Sequence, residues 1–281
     1  MGFLNNITVL AIASLISLSV SAQSVLDSPI DGIVKREAVQ SRKPIPYAPL
    51  READLMWHKR VWRTIDLREK INLPLYYPFE KTNGMRSLAE VLFSAVVEEG
   101  TIKPWSNTRD DFSVDMTVTD VLKITNKSKE ITGKSFLDPD IDSVIIVTEK
   151  FEPRKVKRYE LKEEWFFDRQ RSVLDVRILG ICPIYEVDKE GAKIYIPLFW
   201  VYFPHAREVL AKNDVFNRNN SSERRTFDDI FWKRQFNSYI HKEENVYDRD
   251  ISEYKKGMDA LLEAQRIKDQ IILFEHDLWE F

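Results

Sequence analysis

The sequence predicts an α+β fold, in which mixed helices surround a small antiparallel sheet, with an extended N-terminal arm and a C-terminal helical extension. Two long β-prone runs, residues 173–187 and 193–203, flank the loop 188–192, whose glycine suits the positive φ of a hairpin turn. Helical patterns lie on both sides of this pair of runs, and four prolines in residues 23–50 interrupt any periodicity there.

The pattern along the chain predicts five parts. These are a signal peptide over 1–22, an extended N-terminal arm over 23–48, an α+β core domain over 49–212, a polar loop over 213–225 and a C-terminal helical region over 226–281. Residues 1–22 carry no charge and end in Val20-Ser21-Ala22, which fits the small-residue rule for cleavage. An uncleaved anchor is the alternative, although the apolar stretch is short for a spanning helix. The residue directly after the predicted cleavage site is Gln23 and not a lipid-accepting cysteine, so we expect a soluble mature protein that reaches a membrane only through a partner.

The first element of the core is predicted to be a helix over residues 51–72. Ala53, Trp57, Val61 and Ile65 recur every four residues on one face, and Trp62 lies on roughly the opposite face. A helix that is apolar on two sides is packed on two sides, which here suggests the protein's own core and a second chain. A fully internal helix is the alternative.

Further along the chain, local signals predict where elements begin and end. Ser87 followed by Glu90 is a capping-box pattern that opens a helix, and Gly100 closes it. A short strand, a helix around Asp120 and a strand over 144–148 should follow. Pro183 and Pro197 each remove a ladder donor, so each should lie at an edge or a bulge. A helix is also predicted after residue 204.

The C-terminal residues are predicted to form an association helix. Spacings of three and four alternate along Gly257, Ala260, Ala264, Ile267, Ile271, Phe274 and Leu278, which is the seam of a heptad pattern. Leu261, Leu262 and Ile272 widen this stripe. The alternative is that the helix covers its own domain.

No catalytic, cofactor-binding or metal-binding constellation is predicted. The net charge is −3 with basic and acidic residues interleaved, which argues against a nucleic-acid partner. The only cysteine, Cys182, lies in an apolar run and should be a small buried hydrophobe. The four histidines lack metal-ligand spacing, and no glycine-rich phosphate loop or nucleophile elbow occurs. A pair of carboxylates that cleaves glycans remains an alternative, because the sequence does not show how far apart two carboxylates lie in the folded chain.

Three blocks of sequence resemble one bacterial family. They are the run from Pro49 to Pro78, the stretch Val-Leu-Asp-Val-Arg-Ile-Leu-Gly-Ile-Cys-Pro at 173–183, and Thr-Phe-Asp-Asp-Ile-Phe-Trp-Lys-Arg-Gln-Phe at 226–236 with its continuation to Arg249. Together they resemble the GldN/PorN family, a component of the type IX secretion and gliding motility apparatus. The likeness extends from about Pro49 to Arg249 and is less distinct afterwards.

This resemblance implies a structural, non-enzymatic role in a periplasmic ring. It implies self-association and pairing with an outer-membrane lipoprotein of the GldK/PorK type, and contact with the periplasmic part of a GldM/PorM-type motor protein. Tryptophan and arginine dominate binding hot spots, so the partner-binding candidates combine such residues with the C-terminal seam. They are Trp57, Arg60, Trp62, Arg63, Trp232, Arg234, Ile267, Ile271, Phe274 and Leu278. A solitary periplasmic enzyme or ligand-binding protein, acting on cell-wall glycans for instance, is the alternative function, and a core position is the alternative for Trp232.

Overall fold

The computed structural model describes residues 41–278 except 83, 126, 135–141, 150, 190, 191, 219 and 221, and gives only the backbone at 127–134, 142–149 and 188–189. The strands are β1 (Leu55–Asp66), β2 (Pro104–Trp105), β3 (Lys127–Lys134), β4 (Asp142–Glu149), β5 (Val156–Asp168), β6 (Val173–Lys189), β7 (Ala192–Pro197), β8 (Trp200–Tyr202), β9 (Asp214–Val215), β10 (Arg225–Thr226) and β11 (Tyr239–Glu243). Seven of them form one antiparallel sheet in the order β11-β1-β5-β6-β8-β2, with β7 also paired to β6. The predicted α+β class is confirmed.

Seven α-helices occur in the part of the chain that the structure describes. They are α1 (Leu73–Tyr76), α2 (Leu88–Val97), α3 (Val118–Thr125), α4 (Phe203–Lys212), α5 (Phe227–Trp232), α6 (Ile251–Tyr254) and α7 (Met258–Asp277). The predicted helices after Ser87, around Asp120 and after residue 204 correspond to α2, α3 and α4. The longest, α7, has 20 residues and is therefore about 30 Å long.

The prediction of a helix over residues 51–72 is wrong, because this segment contains the 12-residue strand β1. Residues 4 apart share a face of a helix, but they also have the same parity and so share a face of a strand. Trp57, Val61 and Ile65 thus fit both periods, and β-branched and aromatic residues favour the strand. Trp62 still lies opposite Val61, since adjacent residues of a strand point to opposite faces.

Helix capping follows the local sequence at α2 and α5. The Ser87 Oγ accepts a 3.3 Å hydrogen bond from the Glu90 backbone N–H, as predicted, and Gly100 has a φ of +62° after the helix. Within the described structure the Glu90 carboxyl makes no return bond to Ser87, and burial raises the pKa of this carboxyl. At α5 both halves of a capping box form between Thr226 and Asp229.

The first β-prone run forms the central strand β6, and the second, predicted over 193–203, is divided between the strands β7 and β8. β6 pairs with β5 along one edge, and along the other it pairs with β8 at Gly180 and Ile181 and with β7 from Ile184 onwards. Pro183 lies where β6 changes from one partner to the other, so its missing N–H removes no ladder bond on that side. Pro197 is the last residue of β7.

The sheet packs differently on its two faces. The main core includes Leu161, Ile181 and residues of α2, α4 and α5, such as Leu92, Leu210 and Phe231. A second cluster joins Val61 and Ile240 of the sheet to α6 and α7. The opposite face carries Trp62, Cys182, Ile184 and Trp200, with Trp105 and Phe112 against them. The burial predicted for Cys182 is confirmed, and burial raises the pKa of its thiol well above the ordinary value.

The predicted parts of the chain have different outcomes. The signal peptide and residues 23–40 of the arm lie outside the described residues. Residues 41–48 contain neither helix nor strand. The described residues belong to one compact unit, and the described part of the region 226–281 contributes the strand β11 to the main sheet as well as helices. The domain boundaries stay predictions.

Candidate partner-binding surface

The predicted partner-binding residues lie in three places. The strand β1 carries Trp57, Arg60, Trp62 and Arg63. The end of α5 and the turn after it carry Trp232 and Arg234. The second half of α7 and the residue after it carry Ile267, Ile271, Phe274 and Leu278. The junction between β1 and α7 brings together Trp57, Ile267, Ile271 and Phe274, with Arg63 and Arg234 beside Ile271, whereas Trp232 lies against Tyr47 and Arg207. Trp62 lies apart from this junction, on the opposite face of the sheet.

The α7 seam packs on the protein's own sheet. Ala264, Ile267 and Ile271 are buried against Val61 and Ile240. The rings of Trp57 and Phe274 stack with their centroids 4.5 Å apart. The partner-binding prediction is untested by these contacts, but the side chains of Ile267 and Ile271 are not available to a partner while α7 stays docked.

Outside the buried seam, α7 carries exposed apolar residues near its start and near its end, with the hydrogen-bonded pair Gln265 and Asp269 between them. Its large exposed hydrophobic residues are Met258, Leu261, Leu262, Ile272 and Leu273, and we name this surface the outer face of α7. Leu262 is 61% exposed and Leu273 is 58% exposed. Large apolar side chains grouped on one helix face indicate an interaction site more strongly than scattered ones do. The sequence indicated part of this surface through Leu261, Leu262 and Ile272, which widened the heptad stripe.

The end of the N-terminal arm is bound across α4 and α5. Tyr47 packs on Trp232 with ring centroids 5.5 Å apart, and the Arg207 guanidinium lies 4.4 Å from the Tyr47 ring centroid. Arg207 is itself buried and makes two hydrogen bonds to Asp228, of 2.8 and 3.1 Å. Arg42 forms a 2.7 Å ion pair with Asp229. Trp232, which is 41% exposed, is therefore a surface residue that the arm partly covers.

Trp62 and Arg60 are held on β1 by neighbouring side chains. Trp62 is 8% exposed, and its indole N–H donates a hydrogen bond to the Asp110 carboxylate. The Lys242 ammonium lies 4.9 Å from its ring centroid. Arg60 is half-buried and contacts Glu164 at 3.4 Å. Trp62 is thus a core residue, whereas Arg60 stays accessible.

Arg63 and Arg234 meet at a buried carboxylate that sequence reasoning missed. Glu163 is fully buried and accepts hydrogen bonds of 2.9 and 3.1 Å from Arg234 Nη2 and one of 3.3 Å from the Trp165 indole N–H. Arg63 Nε lies 4.0 Å from the same carboxylate. Glu163 is one of many acidic residues in a charged strand, and its partners come from distant segments, so no local signal could have singled it out.

Burial shifts the pKa values of two side chains of the main sheet, Glu160 and His241, by a large amount. Burial raises the pKa of Glu160 to about 6, with the Asp250 and Asp110 carboxylates adding to the effect. Burial lowers the pKa of His241 to about 4, where its ring contacts Thr64 Oγ1 at 2.9 Å. A raised carboxyl pKa suits a general acid, so Glu160 is the residue on which an enzyme hypothesis would depend.

The described part of the chain contains neither a metal-binding cluster nor a membrane-spanning helix. No group of three or more His, Cys, Asp or Glu residues there is placed to hold a metal ion. No helix there has the length and apolar character needed to cross a membrane.

Comparison with known proteins gives one match. The model of a family described as "Gliding motility associated protein GldN" matches residues 50–280, which is most of the chain. The match includes all three sequence blocks on which the resemblance rests. No curated protein matches the chain.

Proposed function

This chain belongs to the GldN family of gliding motility associated proteins, and on that premise we propose that it is a structural, non-enzymatic component of a periplasmic ring in the type IX secretion and gliding motility apparatus. In this proposal many copies associate with one another and with an outer-membrane lipoprotein of the GldK/PorK type. That lipoprotein holds the chain at the outer membrane, and the periplasmic part of a GldM/PorM-type motor protein contacts the assembly.

The observation that supports an association role is the outer face of α7. Burying one large apolar side chain contributes about 1.5–3 kcal/mol, so several of them on one helix can supply much of a binding energy. The inner side of the same helix is packed on β1 and β11 through Ile267 and Ile271. The helix is therefore fixed before any partner arrives, which reduces the entropy lost on binding.

Other predicted contact residues fit this proposal in different ways. Trp232, Arg60, Phe274 and Leu278 are exposed or half-buried and can contact a partner. Ile267 acts indirectly, by holding α7 on the sheet. Hot spots are enriched in Trp and Arg, which favours Trp232 as the centre of a second contact.

The experiment is an association measurement on purified proteins. The chain is mixed with the soluble part of the lipoprotein partner, and mass is measured by analytical ultracentrifugation. Leu262→Glu should leave the melting temperature unchanged, because the side chain is exposed, and should weaken assembly at least tenfold by placing a charge in an apolar contact. Val114→Glu is the matched control, since Val114 is an exposed apolar residue on a loop away from α7.

Two results would contradict the proposal. One is full assembly of the Leu262→Glu variant, which would exclude the outer face of α7 from the contact. The other is a chain that stays a monomer at every concentration and never binds the lipoprotein, which would favour the alternative of a solitary periplasmic enzyme or ligand-binding protein.

A further inference from the structure

A small cavity lies between β1, the turn after α5 and the inner edge of α7. Its volume is about 220 Å³, and its walls include Arg63, Arg234, Lys268, Trp165, Phe236 and Ile271. This volume is below the roughly 300–1,000 Å³ of cavities that take drug-sized ligands. A nucleotide or a glycan chain is too large for it, whereas one amino-acid side chain or a small organic acid fits.

The charges around this cavity do not balance. Arg63, Arg234 and Lys268 bring three positive charges, and Glu163 brings one negative charge from beneath. Lys268 makes no hydrogen bond or ion pair with any residue that the structure describes. Three cations against one carboxylate give the cavity a positive potential, which favours an anion.

Arg63 carries its charge below the surface. The residue is only 8% exposed, its Nε donates to Ser238 Oγ at 2.8 Å, and its Nη2 donates to the Ser238 carbonyl at 3.0 Å. Its Nη1 has no hydrogen-bond partner among the described residues, although the side chain lines the cavity. Burial lowers the pKa of Arg63, which reflects a charge that its surroundings only partly compensate. A guanidinium whose remaining donor faces a cavity can bind an acceptor that enters it.

Arg234 is held in an unusual backbone conformation at the same place. Its φ is +51°, in the left-handed region where the residue after a helix is most often glycine. Its guanidinium lies 5.4 and 5.3 Å from the ring centroids of Trp165 and Phe236, and its Nη2 is bound to Glu163. Its Nε and Nη1 make no hydrogen bond with described residues. Backbone strain that surrounding contacts maintain is typical of binding sites.

We propose that this cavity binds a carboxylate carried on a short apolar group. Arg63 and Arg234 would donate hydrogen bonds to the carboxylate oxygens, and Lys268 would close the site from α7. The apolar part would contact Trp165, Phe236 and Ile271. Guanidinium groups match the planar geometry of a carboxylate, and pairs of this kind are among the stronger hydrogen bonds in proteins. The carboxylate belongs either to a protein chain end or to a free small acid. The proposal does not depend on the ring role.

The test is an NMR titration of the purified protein with four probes. N-acetylleucine and an acetylated hexapeptide ending in leucine carry the carboxylate, and their C-terminal amides are the uncharged controls. The indole N–H signal of Trp165 reports on the site, and it is identified among the signals of the seven tryptophans by its loss in Trp165→Phe. We expect this signal to shift with a carboxylate probe and to stay in place with both amides.

Variants separate this site from general charge effects. Lys268 is exposed, so Lys268→Gln should fold normally and weaken binding by roughly three- to tenfold through the loss of one charge-assisted bond. Lys256→Gln removes the same charge just before α7 and away from the cavity, and it should leave the affinity unchanged. Arg234→Gly suits the left-handed backbone, and its binding should fall below detection.

The probes also identify the source of the carboxylate. Binding of the peptide alone supports a chain end, and equal binding of N-acetylleucine supports a small acid. The proposal is overturned if neither carboxylate shifts the signal, if the amides bind equally well, or if Lys268→Gln binds like Lys256→Gln.

Discussion

Replacing Trp62 by alanine should cost about 3–5 kcal/mol of folding free energy, the usual loss for a large aromatic side chain in a core. Trp62 is almost fully buried, packs near Cys182 and Trp200, and donates its indole N–H to Asp110. Trp57→Ala should cost less, about 2 kcal/mol of folding free energy. The stacked aromatic pair contributes about 1 kcal/mol, and the half-buried ring of Trp57 contributes the rest. Its main contact, Phe274, lies near the end of α7.

Urea denaturation of the purified single variants measures this difference. Each midpoint gives the change in folding free energy when the slope m is unchanged. Trp57→Phe is the control that retains a ring on Phe274, and Trp62→Phe retains a ring but loses the hydrogen bond to Asp110. A double-mutant cycle of Trp57→Ala with Phe274→Ala should give a coupling energy of about 0.5–1.5 kcal/mol. The reasoning is refuted if Trp57→Ala destabilises the protein as much as Trp62→Ala does.

Three further predictions concern the arm, a buried ion pair and a titrating carboxyl group. Tyr47→Ala should speed limited tryptic cleavage after Arg42 about tenfold, since it removes an aromatic pair and two cation–π contacts that hold the arm; Tyr47→Phe should not, and equal cleavage rates in both variants would show that the ring does not hold the arm. Asp228→Ala should cost about 3–5 kcal/mol because it leaves Arg207 buried and unpaired, and a loss below 1 kcal/mol in thermal unfolding would contradict the assigned pair. The raised pKa of Glu160, about 6 against an ordinary 4.5, favours the protonated form in the folded state, so its contribution to stability is present at low pH and is lost as pH rises from 4.5 to 6. The stability of Glu160→Gln relative to the wild type should therefore rise by about 1.5 kcal/mol between pH 4.5 and 6.5, and the same stability difference between the two proteins at both pH values would refute the shift.

The sequence could predict elements whose signals are local. The capping residues Ser87 and Thr226 lie at the helix starts that they specify, because a side chain bonds a backbone N–H three residues away. The strands β6 and β7 were identified from β-prone runs around a loop. The error at β1 also has a local cause, since the four-residue spacing of Trp57, Val61 and Ile65 satisfies both a helix and a strand.

The surroundings of the candidate sites could not be predicted because they depend on distant pairings. β1 is placed next to β5 and β11, so Arg63 meets both Glu163 and Ser238 only in the folded chain. The heptad spacing located the apolar seam of α7, but spacing does not say which surface a seam contacts. The seam residues Ile267 and Ile271 pack on the protein's own sheet, and the exposed apolar residues of the helix lie outside this seam.

The central claim is that the chain works by association through the outer face of α7 and not by catalysis. The direct measurement is type IX secretion and gliding in cells whose chromosomal copy carries Leu262→Glu, Val114→Glu or Glu160→Gln, with equal protein levels verified. The account predicts loss of both activities in Leu262→Glu alone, together with loss of co-purification with the outer-membrane lipoprotein. Normal secretion in Leu262→Glu, with loss of secretion in a stable Glu160→Gln variant, would contradict it.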